Sequence, residues 1–141
     1  MSEPLQDRIG SRGLGVLVTI KRDGRPQLSN ITYTYDAARG LVRVSLTDGR
    51  AKTKNLRRDP RAGLYVNGPN GRSYTVLEGK AELSAVAADP HDEVVEELID
   101  VYRHAAGKEH PDWDDYRRAM VDDHRLVFSM IVDHAYGMPQ P

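Results

Sequence analysis

The sequence predicts a mainly antiparallel β domain, rolled into a small barrel with helices packed at one side. Three observations predict it. Short apolar or alternating segments separated by turn residues run from residue 16 to residue 83. Helical spacing of apolar residues appears only after them. An alternating segment then closes the chain.

The first strand is the β-branched run Val16 to Ile20, and Asp23-Gly24 supplies the hairpin turn after it. In the second, Leu28, Asn30, Thr32 and Thr34 interleave with Ser29, Ile31, Tyr33 and Tyr35 as two strand faces. Asp36 to Gly40 turns the chain into a third strand, Leu41 to Leu46. A short basic helix from about Arg50 to Arg58 follows, with Thr47 or Asp48 as its cap. Ala62 to Val66 is the fourth strand, ended by Asn67-Gly68-Pro69-Asn70-Gly71. Ser73 to Leu83 is the fifth, with Gly79 as a bulge or kink site. Asp89-Pro90 reads as the cap and first residue of a helix carrying Val94, Val95, Leu98, Ile99 and Tyr102. A second helix spans Trp113 to Asp123, entered through Pro111-Asp112. Arg125 to Tyr136 closes the fold, with Leu126, Phe128 and Met130 on one face and an irregular tail over residues 137–141.

Composition narrows the class. The chain has 141 residues, no cysteine and a net charge of −1, which fits one soluble, cytoplasmic domain over residues 1–141. Disulfides, thiolate metal sites and a cysteine nucleophile are excluded. The near-neutral charge argues against nucleic acid as a partner. No apolar run is long enough to span a membrane, and no signal peptide is visible. His91, His104, His110 and His124 show no ligand spacing, so no metal is expected.

Charge is segregated along the chain. Residues 50–61 hold Arg50, Lys52, Lys54, Arg57, Arg58 and Arg61 against Asp59 alone, while residues 89–100 hold six acids and no Lys or Arg. Cations in the first turn of a helix oppose its dipole by about 0.3–1 kcal/mol each. An anion seated on the free N–H groups, with Arg50 and Lys52 around it, would reverse that penalty. A solvated helix kept soluble by its charges is the plainer alternative.

Beyond these local features, an ordered series of segments resembles one family. It comprises Gly15 to Ile20, Asp23-Gly24-Arg25-Pro26-Gln27-Leu28-Ser29-Asn30, and Arg50-Ala51-Lys52-Thr53-Lys54-Asn55-Leu56-Arg57-Arg58-Asp59-Pro60. Ser73-Tyr74, Glu78-Gly79, Trp113 to Arg117 and His134-Ala135-Tyr136-Gly137 continue it. From about Leu14 to Met138 the chain resembles the pyridoxamine-phosphate-oxidase-like split β-barrel family, in its actinobacterial branch of oxidoreductases using the deazaflavin coenzyme F420.

The resemblance implies a split barrel of about six antiparallel strands that binds its cofactor in a homodimer groove. It places the cofactor phosphate at Arg50 and Lys52, with Thr53 helping from the helix and Val44 and Ser45 from the third strand. Gln27, Leu28, Ser29, Asn30 and Ile31 would run beside the ring, partly through backbone. Ser73 and Tyr74 look like the other subunit's contribution, and His134 falls near the groove. The sequence-level hint of a dimer is that one face of Ser73–Leu83 lacks a partner. Pyridoxamine-phosphate oxidases proper carry arginine-rich substrate elements near the C-terminus that residues 137–141 lack, which points away from vitamin B6 oxidation. Arg72 stands where relatives of this branch often have an aromatic residue.

The expected activity is hydride transfer from reduced F420 to an unsaturated or quinone-like small molecule. FMN shares the ring, ribityl chain and phosphate, so it is the alternative cofactor, and a non-enzymatic carrier or sensor is the alternative role. No residue is singled out as a catalytic acid.

Overall fold

The computed structural model describes residues 4–138. Six strands, β1 (Arg12–Ile20), β2 (Pro26–Asp36), β3 (Leu41–Thr47), β4 (Arg61–Asn67), β5 (Tyr74–Leu83) and β6 (Arg125–Met138), form a closed antiparallel barrel in the order β1-β2-β3-β6-β5-β4. Three helices, α1 (Ala51–Arg58), α2 (Glu93–Ala106) and α3 (Trp113–Asp122), complete it. A 3₁₀ turn over Leu5–Ile9 precedes them, and the Tyr33 hydroxyl donates to the Ile9 carbonyl.

Strand alternation explains the core. On β2 the odd residues Ile31, Tyr33 and Tyr35 are buried, while Leu28 on the other face is 61% exposed. Leu17, Leu64, Leu77, Leu126, Phe128 and Met130 fill the interior with essentially no exposure. Each such leucine contributes about 1.5–3 kcal/mol by leaving water. A second cluster lies outside the barrel wall, where Val95, Leu98, Ile99 and Val101 of α2 meet Tyr116 and Met120 of α3 and Val127 of β6. Val127 alternates with Leu126 and Phe128, so one strand serves both cores.

Gly79 does mark a bulge: the β5–β6 register shifts between Glu78 and Gly79, and a Cβ there would lie 2.4 Å from the Ile131 carbonyl oxygen. The Asp23-Gly24 hairpin closes through Lys21 and Arg25, with Gly24 at φ 84°.

Four local expectations are corrected. The cap of α1 is Arg50, in extended conformation and without a side-chain capping bond. Thr47 instead gives its carbonyl to the Thr53 hydroxyl at 2.8 Å, and Asp48 reaches Arg57. The cap of α2 is Asp92, whose carboxylate accepts the N–H groups of Val95, Ala88 and Asp89, so Asp89-Pro90 lies in the turn before the helix. The edges of β1 and β4 extend further than their apolar runs, because ladder pairing continues through polar residues such as Arg12 and Asn67. Gly137 and Met138 are not irregular; they pair with Thr75 and Tyr74 at the end of β6. Residues 139–141 of the expected tail lie outside the described residues.

Candidate functional site

The site begins as a gap in the barrel. β2 is paired to β1 along its length and β3 to β6 along its length, yet β2 and β3 pair with each other only at Thr34–Arg43, Tyr35–Val42 and Asp36–Leu41. Beyond those positions the facing edges diverge, leaving strand polar groups without a ladder partner on that side. A cleft of about 680 Å³ opens there.

Its lining falls into three parts. Asn30, Ile31 and Thr32 of β2 and Ser45, Leu46 and Thr47 of β3 form the two edges. Arg50, Lys52 and Arg125 stand at one end, and no Asp or Glu lines the cleft. Val101, Tyr102, Ala105 and Ala106 of α2 with Tyr116 and Met120 of α3 form an apolar wall.

Electrostatics at the cationic end are unbalanced. Arg50, Lys52 and Lys54 make no ion pair among the described residues, whereas Arg57 pairs with Asp48 and Arg61 with Asp59. Burial, followed by the charges of Arg50 and Arg125, holds the Lys52 ammonium below its ordinary pKa. The helix itself is tied down by neutral groups: Asn55 Nδ2 donates to Gln27 Oε1 at 2.7 Å and to Thr19 Oγ1 at 3.1 Å. Two buried side-chain polar atoms among the described residues lack a hydrogen-bond partner, Ser29 Oγ and Arg125 Nε. Burial pushes the Tyr116 phenol up to about 12, and its hydroxyl donates to the Leu98 carbonyl at 3.0 Å.

Of the residues singled out by sequence, Asn30, Ile31, Ser45, Arg50 and Lys52 come together in this cleft. Gln27 does not line it; its side chain is engaged with Asn55 of α1. Leu28 faces outward, Ser29 faces inward, and the Val44 side chain is 1% exposed in the barrel core. Thr53 is buried and holds the β3–α1 turn. Ser73 is buried beside Asn70, Tyr74 stacks on Tyr65 with ring centroids 5.5 Å apart, and exposed His134 lies 6.1 Å from Tyr136; none of the three lines this cleft. Sequence reasoning missed Thr32, Thr47, Arg125 and the α2–α3 wall. Tyr102 and Tyr116 had a usable signal, both standing on apolar helix faces, but Arg125 reads locally as an ordinary strand start. Among the described residues, no group of three or more His, Cys, Asp or Glu could hold a metal ion, and no helix is long and apolar enough to cross a membrane.

A six-strand barrel split along one seam, with a cationic cleft at the split, is the architecture of a split β-barrel. The family model described as pyridoxamine 5'-phosphate oxidase matches residues 1–135, and the chain belongs to that family. Among solved structures it is similar to an F420 reductase, with 21% identity, coverage of 92% of this chain and 94% of that one, and a TM-score of 0.63. It is also similar to a conserved hypothetical protein from Mycobacterium tuberculosis, with 23% identity, coverage of 98% and 84%, and a TM-score of 0.72. A heme binding protein from Mycobacterium smegmatis shares 19% identity at a TM-score of 0.66; 98% of this chain covers 55% of that one. At these identities the likenesses show a shared fold.

Proposed function

We propose that this protein is an F420-dependent oxidoreductase that passes a hydride from the reduced deazaflavin to an unsaturated or quinone-like small molecule. The observation that carries the reading is the cleft at the β2–β3 split, which offers unpaired strand edges, a cationic end free of carboxylates and an apolar wall. A flavin-like group with a phosphate fits that donor set. Arg50 and Lys52 would bind its phosphate, supplying binding energy away from the reacting ring. The edges at Asn30–Thr32 and Ser45–Thr47 would hydrogen-bond the ring and ribityl chain. Reduced F420, when bound, supplies the hydride. Tyr116 is a wall and not the proton donor, since its phenol is committed to the Leu98 carbonyl and ionises only near pH 12.

A homodimer is part of the reading. Leu28, Tyr136 and Met138 are 61%, 46% and 57% exposed. Cross-strand pairing sets Leu28 beside Val18, Val16 beside Tyr65 and Tyr74 beside Met138, so apolar side chains recur on the outer face of the barrel. Exposed apolar side chains on that face favour self-association. Ser73, Tyr74 and His134, which do not line the cleft of their own chain, would then serve the partner's cofactor.

The test is equilibrium titration of oxidised F420 and FMN at matched salt, followed by acceptor-dependent reoxidation of reduced F420. F420 should bind at least tenfold more tightly than FMN, and enones or quinones should drive reoxidation. Tighter FMN binding would move the protein to the flavin oxidases and reductases, and binding without reoxidation would make it a carrier. Sedimentation should give twice the 15.8 kDa chain mass.

A further inference from the structure

We propose that Arg125 is a third phosphate-binding residue of the cleft, and that with Arg50 and Lys52 it selects a phosphoryl group that carries, or stands beside, a second negative charge. The inference rests on the reading of the cleft as a cofactor site and adds a residue and a charge requirement to it.

Arg125 is the first residue of β6, paired with Thr47, and it follows His124 at φ 54° in the turn out of α3. That turn delivers its guanidinium to the mouth of α1, where it lines the cleft with Arg50 and Lys52. Its partners within the chain are at the limit of usefulness. Nη1 lies 3.5 Å from the Ser45 carbonyl oxygen, and Nε lies 4.0 Å from the Asp123 carboxylate. Nε is itself buried and donates to nothing. A guanidinium has five N–H donors, and a buried one left idle on a charged group is costly. The side chain is only 33% exposed, so water offers limited relief.

The three cations also repel one another. Burial lowers the Lys52 pKa most, and the charges of Arg50 and Arg125 lower it further. No carboxylate lines the cleft, and Asp123 reaches Arg125 only at 4.0 Å from outside it, so an incoming anion would relieve most of this repulsion. A monoanion offsets one of three charges, while a phosphate monoester, or a phosphodiester flanked by carboxylates, offsets two or more. FMN carries the first kind of group and F420 the second. The plain alternative makes Arg125 a strand-start residue that packs against Ser45 and has no effect on phosphate recognition.

The experiment compares FMN with riboflavin, which differ only by the phosphate, on the full-length protein and on Arg125→Gln. F420 is titrated alongside, and inorganic pyrophosphate is tested by thermal shift. Wild type should bind FMN at least thirtyfold more tightly than riboflavin. Arg125→Gln should reduce that ratio about tenfold, the size of one charge-assisted hydrogen bond, with riboflavin affinity unchanged. Pyrophosphate should raise the melting temperature of wild type, and that of the variant, which keeps Arg50 and Lys52, by clearly less. Should Arg125→Gln melt below assay temperature, Arg125→Lys keeps the stem and charge but not the fork, and its ratio should fall at least threefold. An unchanged ratio in a folded variant that still binds FMN and F420 would overturn the role of Arg125 and leave the cofactor reading standing. If neither cofactor binds wild type while pyrophosphate protects wild type more than the variant, the cofactor reading falls and the three-cation site stands. Absence of both effects ends both.

Discussion

Helices α1 and α2 carry the two charged segments of the chain, and the structure treats them in opposite ways. Most acids of the α2 segment are spoken for. Asp92 caps its own helix, Glu96 meets Arg117 at 2.7 Å, and Glu97 and Asp100 meet Arg43 of β3 at 3.6 and 2.7 Å. The leading cations of α1 are not: Arg50, Lys52 and Lys54 stand without an ion pair among the described residues, although a carboxylate-rich helix exists in the same molecule. Two charge runs of similar density in the sequence thus have different meanings. A run whose charges are paired by the fold holds elements together. A run left unpaired at the mouth of a cleft is available to a ligand.

The sharpest way to break this comparison is to remove the unpaired cations. Arg50→Ala with Lys52→Ala should weaken F420 or FMN binding by at least about a hundredfold, since each charge-assisted hydrogen bond is worth about 1.5–3 kcal/mol. The melting temperature should hold or rise, because the two side chains repel in the free protein and oppose the dipole of α1. Titration together with thermal denaturation checks both halves. Wild-type affinity in the double variant would sink the phosphate assignment; a collapse in stability would show that the cations are structural after all.

The comparison also explains what was legible in the sequence. The strands were legible because a half-buried strand must alternate: Leu126, Phe128 and Met130 can hardly be read otherwise. The bulge at Gly79 was legible because only glycine tolerates an Ile131 carbonyl at 2.4 Å from its Cβ position. The anion corner was half legible. Arg50 and Lys52 violate the dipole rule locally, whereas Arg125 obeys every local rule and becomes part of the site only when β3 and β6 pair at Thr47 and Arg125. The apolar wall was hidden for a similar reason. Tyr102 and Tyr116 satisfy a packing role and a lining role with the same face, and only the placement of α2–α3 over the split separates the two. The cap of α2 was misjudged at Asp89 because Asp92 also lay in range, and that of α1 at Thr47 or Asp48 because both are engaged elsewhere, leaving Arg50 to start the helix without a side-chain cap.

A smaller effect concerns how α1 is held while its cations stay unpaired. The anchor is Asn55, 7% exposed, which donates to Thr19 Oγ1 and Gln27 Oε1 and accepts from Arg58 Nη2 at 3.1 Å. Asn55→Ala removes the donor and leaves buried oxygens without it. The expected loss is about 2 kcal/mol of unfolding free energy by urea titration. Phosphate-ligand affinity should drop alongside it, because the corner that carries Arg50 and Lys52 loses its tie to β1 and β2. A variant as stable as wild type would mean that Leu56, 3% exposed, anchors the helix by packing alone.

The smallest effect tests the paired side. Arg43 is 13% exposed at its side chain and serves both Glu97 and Asp100, so its removal should separate a structural ion cluster from a binding one. Arg43→Met keeps the aliphatic stem against the sheet and deletes the charge. The two carboxylates are 40% and 49% exposed, so water can rehydrate them once the guanidinium is gone, unlike the oxygens around Asn55. The cost should therefore be about 1 kcal/mol, near the upper end for ion pairs open to solvent, and should shrink as salt is raised. Cofactor affinity should stay within twofold of wild type. A drop in affinity comparable to that of the Arg50/Lys52 double variant would erase the distinction between paired and unpaired charge, since it would mean that the acidic helix and the basic corner act as one electrostatic unit across β3.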